Sequence, residues 1–315
     1  MTDHLPSYVL ISPARNEAAF IEKTIQSVVT QSILPLRWII VSDGSKDGTD
    51  EVVSRYCASH PWIELIRMPE RKERHFAGKV NAFNAGRLKV ESLPYDIIGN
   101  LDTDVSFDKD YFEFLLRKFS KNPQLGVAGT PFEEESFKYD YRFTSVEHVS
   151  GQIQLFRRKC FEDIGGYAPI KTGGIDLVAV ISARMKGWQT RSFLGKSYFH
   201  HRKMSSANHN VLGIAFHAGW TDFTHGCDPV WEFFRSIYQM KRSPIFFWGF
   251  SCLAGYLSAM ISSTERYVTK EFIHFRKIEQ RRRLRIFLKG MMKGQSVESY
   301  LPEQNVDREF GAGAK

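Results

Sequence analysis

An α/β fold with a Rossmann-like, mainly parallel sheet and flanking helices is predicted for residues 1–205 of this 315-residue chain. Three observations predict it. Short apolar runs of strand length alternate with stretches at helical spacing, which implies right-handed crossovers between parallel strands. Polar clusters follow three of the apolar runs, where an open sheet of this kind places its ligands. From about Asn210 the alternation stops and the chain reads as helical.

The elements follow in order. Tyr8-Val-Leu-Ile-Ser12 is an unbroken apolar run, as a strand covered on both faces requires. Glu17 to Gln31 then carries Phe20, Ile21, Ile25, Val28 and Val29 on one helical face. Trp38-Ile-Ile-Val-Ser42 is a second strand, and a Gly-rich turn opens a second helix over Asp47 to Ala58. A third strand spans Trp62 to Arg67, a third helix Lys79 to Val90, and a fourth strand Asp96 to Leu101. Asp110 to Phe119 reads as helix and Leu125 to Thr130 as strand. Gly151 to Phe156 alternates like a strand, Lys159 to Gly165 is a short helix, and Asp176 to Lys186 a longer one. The expected division is a ligand-binding domain over 1–205, a helical region over 206–295 and a disordered tail over 296–315.

Composition bounds the class. Hydrophobic residues make up 43% and aromatics 14%, which is globular, with length for one core and an accessory region. Cys57, Cys160, Cys227 and Cys252 form no C-x-x-C, which argues against a zinc site or a disulfide framework and fits structural thiols in a reducing cytosol. Met1 to Ser12 lacks a basic segment followed by an apolar core, so no signal peptide is expected. Charge is uneven. Residues 1–200 hold 26 Lys/Arg against 25 Asp/Glu, a net of +1; residues 201–315 hold 17 against 10, a net of +7.

Asp102-Thr103-Asp104 is the most informative cluster. Two carboxylates one residue apart at the mouth of a strand can share a divalent cation, and carboxylate oxygens suit Mg²⁺ or Mn²⁺ bridging to a diphosphate. Singly, such a triplet is more often a solvated turn. Asp43 in Asp43-Gly44-Ser45 is equally a turn former, and Glu17 a helix-start charge. Lys79 opens a helix, where a cation opposes the macrodipole unless an anion lies near it.

Taken together the clusters carry a resemblance. Pro13-Ala14-Arg15-Asn16-Glu17, then Ser42-Asp43-Gly44-Ser45 with Asp47-Gly48-Thr49, then Gly78-Lys79 with Ala82, Asn84 and Gly86, then Asp102-Thr103-Asp104 stand in the order and spacing of a known set. Over roughly residues 7–200 the chain resembles glycosyltransferase family 2, with the GT-A fold. The resemblance implies an inverting, Mn²⁺- or Mg²⁺-dependent transfer of one sugar from a nucleotide donor, a UDP-sugar, to an acceptor hydroxyl. It puts Asp43 on the base, Arg15 and Glu17 near ribose and base, Pro13 and Ala14 in the same nucleotide-binding loop, and Lys79 at the nucleotide. Asp104 becomes the direct metal ligand, and Asp102 supports ribose or metal. Asp176, in Thr172-Gly173-Gly174-Ile175-Asp176, matches the catalytic base, although Ile175 replaces the usual preceding Glu and a helix cap is the competing role. Arg157-Arg158-Lys159 with Gly165-Gly166-Tyr167 resembles the family's acceptor-side segment.

Tyr198-Phe199-His200-His201-Arg202-Lys203 is a compact cationic cluster. One His, taken as His201, completes the metal shell or meets the diphosphate, and Arg202 suits a phosphate. Structural histidines are the alternative.

In the basic third, residues 243–264 carry no charge and include Ile245-Phe-Phe-Trp-Gly-Phe250, a length near the roughly 20 apolar residues of a membrane span but diluted by Pro, Gly and Ser. Residues 265–289 carry nine Lys/Arg, including Arg281-Arg282-Arg283, against three Glu. An apolar aromatic hairpin beside a basic helix predicts attachment to an anionic membrane surface. A lid or dimer face is the plainer alternative, and no nucleic-acid reading motif is present. The expected acceptor is then a lipid-linked or cell-envelope glycan precursor, met from the cytoplasm at the inner face of a bacterial membrane. No Q-x-x-R-W follows Asp176, which favours single addition. Two rivals remain: a transferase loading polyprenyl phosphate, and a catalytically inactive nucleotide-binding subunit.

Overall fold

The computed structural model describes residues 5–71, 76–134, 137–138, 145–202, 211–241 and 244–292. The chain divides into two compact units, Met1–Tyr139 with Glu147–Met204, and Asp140–Val146 with Ser205–Lys315. The tail expected to be disordered, 296–315, lies outside the described residues.

The first unit begins with β1 (Tyr8–Ala14), α1 (Ile21–Val29), β2 (Arg37–Asp43), α2 (Thr49–Ser59), β3 (Ile63–Met68), α3 (Ala77–Val90) and β4 (Ile97–Leu101). It continues through β5 (Val105–Ser106), α4 (Tyr111–Lys121), β6 (Leu125–Gly129), β7 (Phe132–Glu134), β8 (Phe137–Lys138) and β9 (Ile153–Arg157). The last elements are α5 (Arg158–Asp163), α6 (Ile175–Met185), β10 (Gln189–Ser192) and β11 (Tyr198–His200).

Seven strands form one sheet in the order β10-β6-β9-β4-β1-β2-β3. β1 pairs in parallel with both β2 and β4, so the chain changes direction across the sheet at β1. That reversal leaves a crevice beyond the carboxyl ends of β1 and β4, where open α/β sheets bind ligands. β9 runs antiparallel to both β4 and β6. The alternation over 151–156 predicts a strand but carries no information on its direction. A second, four-stranded sheet, β5-β11-β7-β8, sits beside the end of β4. Two of its strands are two residues long and leave no periodicity to read.

The core is the apolar runs themselves. Tyr8, Leu10, Trp38, Ile40, Leu101, Tyr111, Phe112 and Phe119 are fully or almost fully buried. The one polar atom of the Trp38 ring is satisfied, its Nε1 donating to Ser12 Oγ at 2.9 Å. α1 starts later than the periodicity suggests, because Asn16 takes a left-handed φ of 56° and Glu17 to Phe20 form a turn first.

The second unit holds α7 (Val211–Thr224), α8 (Pro229–Gln239), α9 (Phe247–Ile261) and α10 (Lys270–Met292). α7 and α9 meet backbone to backbone at glycines: a Cβ on Gly219 would lie 1.8 Å from the Cys252 carbonyl oxygen, and one on Gly255 1.9 Å from that of Phe216. Because a methyl group there meets main chain rather than a movable side chain, Gly255→Ala is expected to destabilise the unit by at least about 1–3 kcal/mol, the overpacking range. The check is the thermal midpoint; an unchanged one would mean the helices do not approach this closely.

No helix among the described residues is long and apolar enough to cross a membrane. α9, with 15 residues, is about 22 Å long against about 30 Å of hydrocarbon.

Candidate active site

Four of the polar clusters meet at the crevice. The loop after β1 and the loop after β2 are tied together: Thr49 Oγ1 accepts from the Glu17 amide at 2.8 Å, and Asp47 Oδ2 from the Ala18 amide at 3.0 Å. Lys46 N donates to Asn16 Oδ1 at 2.9 Å. Asp47-Gly48-Thr49 is therefore a clamp that positions Arg15 and Glu17, and the left-handed φ of 88° at Gly48 opens α2 behind it. Pro13 and Ala14 are the last two residues of β1 and carry the chain into this loop.

Asp43 ends β2 with its side chain buried. Its carboxylate accepts from Arg71 Nε at 2.8 Å and from Arg71 Nη2, and Arg15 Nη1 lies 3.7 Å away. Arg15 Nη2 donates to the Arg71 carbonyl at 2.9 Å, while its Nη1 is buried with no hydrogen-bond partner. Gly78 makes room for the Arg71 guanidinium, which a Cβ there would strike. Sequence reasoning missed Arg71, since nothing local marks it off from its basic neighbours.

Asp102 follows β4 directly. Lys79 Nζ donates to its Oδ1 at 2.5 Å, and Asn100 Nδ2 to the same oxygen at 3.2 Å. Lys79 in the first turn of α3 thus has its anion within the protein. Burial and the neighbouring Asp104 carboxylate push Asp102 up, against the pull of Lys79.

Asp104 is the hub. Its Oδ2 lies 3.5 Å from His200 Nε2 and 3.2 Å from Arg202 Nε. Its Oδ1 is buried with no hydrogen-bond partner among the described residues. Burial raises its proton affinity, but His200 and Arg202 outweigh this and hold the carboxyl below its ordinary range. His200 Nδ1 meets Glu134 Oε1 at 2.8 Å, so the ring is held between two carboxylates. Against burial, which lowers it, these two hold the His200 pKa above its usual value. Arg202 Nη2 reaches Glu17 Oε2 at 2.5 Å, and the guanidinium lies over the Phe20 ring. Burial, then the Asp104 charge, push Glu17 up to about 7 despite that contact.

The histidine expected at the metal is His201, and the ring nearest the Asp104 carboxylate belongs to its neighbour. It is His200, not His201, whose ring reaches Asp104. Consecutive side chains at a strand end point to opposite sides, and His201 turns to Ser106, its Nε2 2.9 Å from Oγ, with the ring facing Phe20.

Asp176 sits one residue inside α6. The capping position belongs to Gly174, in a left-handed conformation and with no side-chain cap, so the competing role of Asp176 as helix cap is not realised. The Asp176 carboxylate packs on Gly151, where a Cβ would lie 3.0 Å from its Oδ2. The Gly151 carbonyl accepts from Asn100 Nδ2 at 2.7 Å, which ties this corner to Asp102. Ile175 is a buried core residue, which explains an apolar side chain there.

The basic segment expected on the acceptor side is occupied structurally. Arg157 donates to the carbonyls of Phe119, Leu125 and Asn122, Arg158 to those of Leu93 and Glu91, and Lys159 pairs with Asp163. Tyr167 is buried against Phe83, its hydroxyl donating to Gln154 Oε1 at 2.8 Å.

The family profile described as Glycosyl transferase family 2 matches residues 9–174, more than half of the chain. The chain belongs to glycosyl transferase family 2. Curated relatives include the poly-beta-1,6-N-acetyl-D-glucosamine synthase of Staphylococcus epidermidis, 25% identical over 170 residues, or 48% of this chain and 39% of that protein. The enzyme of the same name from Staphylococcus aureus (strain COL) is 25% identical over 183 residues, 52% and 42% of the two chains. The match thus spans about two-fifths of these relatives. Among solved structures, the mannosyltransferase PcManGT from Pyrobaculum calidifontis, in complex with GDP-Man and Mn²⁺, gives a TM-score of 0.57 at 16% identity, covering 98% of this chain and 88% of that one. S. aureus TarS 1–349 gives 0.54 at 12%, covering 96% and 92%. At these identities the likeness establishes the fold: this family 2 glycosyltransferase has GT-A architecture.

Proposed function

We propose that this glycosyltransferase moves a single sugar from a nucleotide donor, a UDP-sugar, to an acceptor hydroxyl with inversion at the anomeric carbon. The observation that carries the reading is the Asp104 carboxylate, with one oxygen held by His200 and Arg202 and the other buried and unpartnered among the described residues. A hard divalent cation fits that oxygen, and Asp104, His200 and Asp102 are the residues that would hold Mn²⁺ or Mg²⁺. Such an ion, when bound, neutralises charge on the departing diphosphate. TarS has been solved with UDP-GlcNAc and PcManGT with GDP-Man and Mn²⁺, which supports a nucleotide sugar with a divalent ion as the ligand class.

In this reading Asp43 accepts from the N3–H of the base, with Arg15 and Glu17 beside base and ribose. Lys79 and Asp102 flank the ribose and diphosphate, and Arg202, whose planar fork matches phosphate, lies next to the leaving group. Asp176 takes the proton of the acceptor hydroxyl as it attacks the face opposite the leaving nucleotide. Residues 1–205 form the catalytic domain, and residues 206–295 the acceptor-side, membrane-associated region. The names of the synthase relatives support a glycan as acceptor, which in this reading is a lipid-linked cell-envelope precursor met at the inner face of a bacterial membrane.

Asp43→Ala is expected to weaken UDP binding about 10–100-fold, the value of one charge-assisted hydrogen bond. Calorimetry decides it; a lower thermal midpoint with unchanged affinity would make Asp43 only the partner of Arg71. The reading as a whole is tested by a thermal-shift screen of nucleotide sugars with Mn²⁺, because a ligand of the folded state raises its apparent stability. A UDP-sugar with Mn²⁺ is expected to raise the midpoint most, and no shift with any nucleotide sugar would overturn the reading.

A further inference from the structure

In the second unit α8 has its polar face inward and its apolar face outward. On α8 the buried positions include Glu232 and Ser236, whereas Val230, Phe233 and Ile237, at spacings of three and four, are 42%, 49% and 45% exposed. On α9 the outward positions Phe247, Phe250, Leu257 and Ile261 form one stripe at helical spacing, with Phe250 at 58% and Ile261 at 79%. Beside a small apolar cluster of Phe223, Cys227, Tyr256 and Ala259, the interior holds ion pairs: Asp222 with Arg235 and Arg276, and Asp228 with Arg281. A helix facing water turns its polar side outward. α8 instead turns Glu232 and Ser236 inward, and α7 and α9 pack through glycine backbone contacts, as helices do in an apolar surrounding.

The charge on this unit is distributed to match. Arg281 reaches Asp228 and the Arg283 guanidinium lies over the Trp231 ring, while Arg282 is exposed. The outward positions of α10 between 277 and 289 are Lys277, Ile278, Arg282, Arg285, Ile286 and Lys289, four cations and no acid. Exposed aromatic and aliphatic stripes with a cationic stripe suit the boundary between headgroups and acyl chains of an anionic leaflet. A second copy of this chain would bring two units of net +5 together, which disfavours it as the occupant.

We propose that the outer faces of α8 and α9 insert into the headgroup boundary of an anionic bilayer, with the exposed Arg and Lys of α10 on lipid phosphates. This deepens the proposed function by giving the surface on which a lipid-linked acceptor is met, and it is tested separately from transfer. The full chain is floated with vesicles of equal parts phosphatidylglycerol and phosphatidylcholine, and with phosphatidylcholine alone. Wild type is expected to float with the anionic vesicles, and high salt to release it only partly, because salt screens the ionic contribution and leaves the apolar one. Phe247→Ser with Phe250→Ser is expected to lower partitioning on the order of 10²-fold. Arg282→Glu with Lys289→Glu is expected to lower it about 10-fold or more on anionic vesicles, with no change on neutral ones. Donor hydrolysis in solution should be unchanged in both variants, which reports that they are folded. Val230→Ser with Phe233→Ser repeats the apolar test on α8 should the α9 variant lack a thermal transition. No flotation of wild type, or serine variants that float like it, would overturn the proposal. So would a wild-type dimer in sedimentation that the serine variants dissolve, since the face would then join two copies. Failure of the transfer reading would appear instead as absent nucleotide binding with flotation intact.

Discussion

Asp104→Ala is expected to abolish sugar transfer, by at least about 10³-fold, the upper end for removing one preorganised electrostatic group, while the protein stays folded. The fold should survive because Asp104 lies beyond the end of β4 and each of its cationic neighbours keeps another anion: Arg202 retains Glu17 and His200 retains Glu134. The function should not survive, because the buried Oδ1 is the one oxygen of that carboxylate without a partner among the described residues. Turnover of a UDP-sugar and a thermal melt, measured on one preparation, check both halves. Near-wild-type turnover would remove Asp104 from the chemistry. A collapsed melt would mean its ion pairs are structural.

Asp176→Asn is expected to lose about 10²–10⁴-fold in kcat, the usual contribution of a general base, with nucleotide affinity nearly unchanged. The amide is isosteric, so packing on Gly151 is kept and the loss reports the proton acceptor alone. Gly151→Ala approaches the same point from the other side, since its methyl group would displace the carboxylate and lower kcat without touching it chemically. If Asp176→Asn instead loses nucleotide affinity and keeps its turnover number, Asp176 is a donor contact. Full activity would favour a phosphate acceptor, such as polyprenyl phosphate, which needs no strong base.

The parallel strands were legible because residues buried on both faces leave unbroken apolar runs such as Trp38 to Val41, and their ends are marked by the polar clusters that follow. Asp43 and Asp102 fall at such strand ends, of β2 and β4. What was not legible depends on phase, direction or distance. A one-residue phase decides that His200 rather than His201 faces Asp104, and two adjacent histidines at the end of a three-residue strand carry no marker of it. The direction of β9 is set by where the preceding chain returns, not by its own alternation. Arg71 and Glu134 act 28 and 66 residues away from their partners Asp43 and His200, so no local pattern points to them. α8 shows the deepest limit. Its periodicity defines two faces but not which one is inside, and the structure buries Glu232 and Ser236 while Phe233 and Ile237 face outward.

The central claim is that the crevice between β1 and β4 binds a nucleotide diphosphate through a divalent cation on Asp104. The most direct measurement is calorimetric titration of UDP into the full chain with Mn²⁺, repeated in EDTA and with Asp104→Ala. Binding in Mn²⁺ that weakens at least about tenfold, or 1.4 kcal/mol, both in EDTA and in the variant is the predicted result. Equal affinity in all three would contradict it.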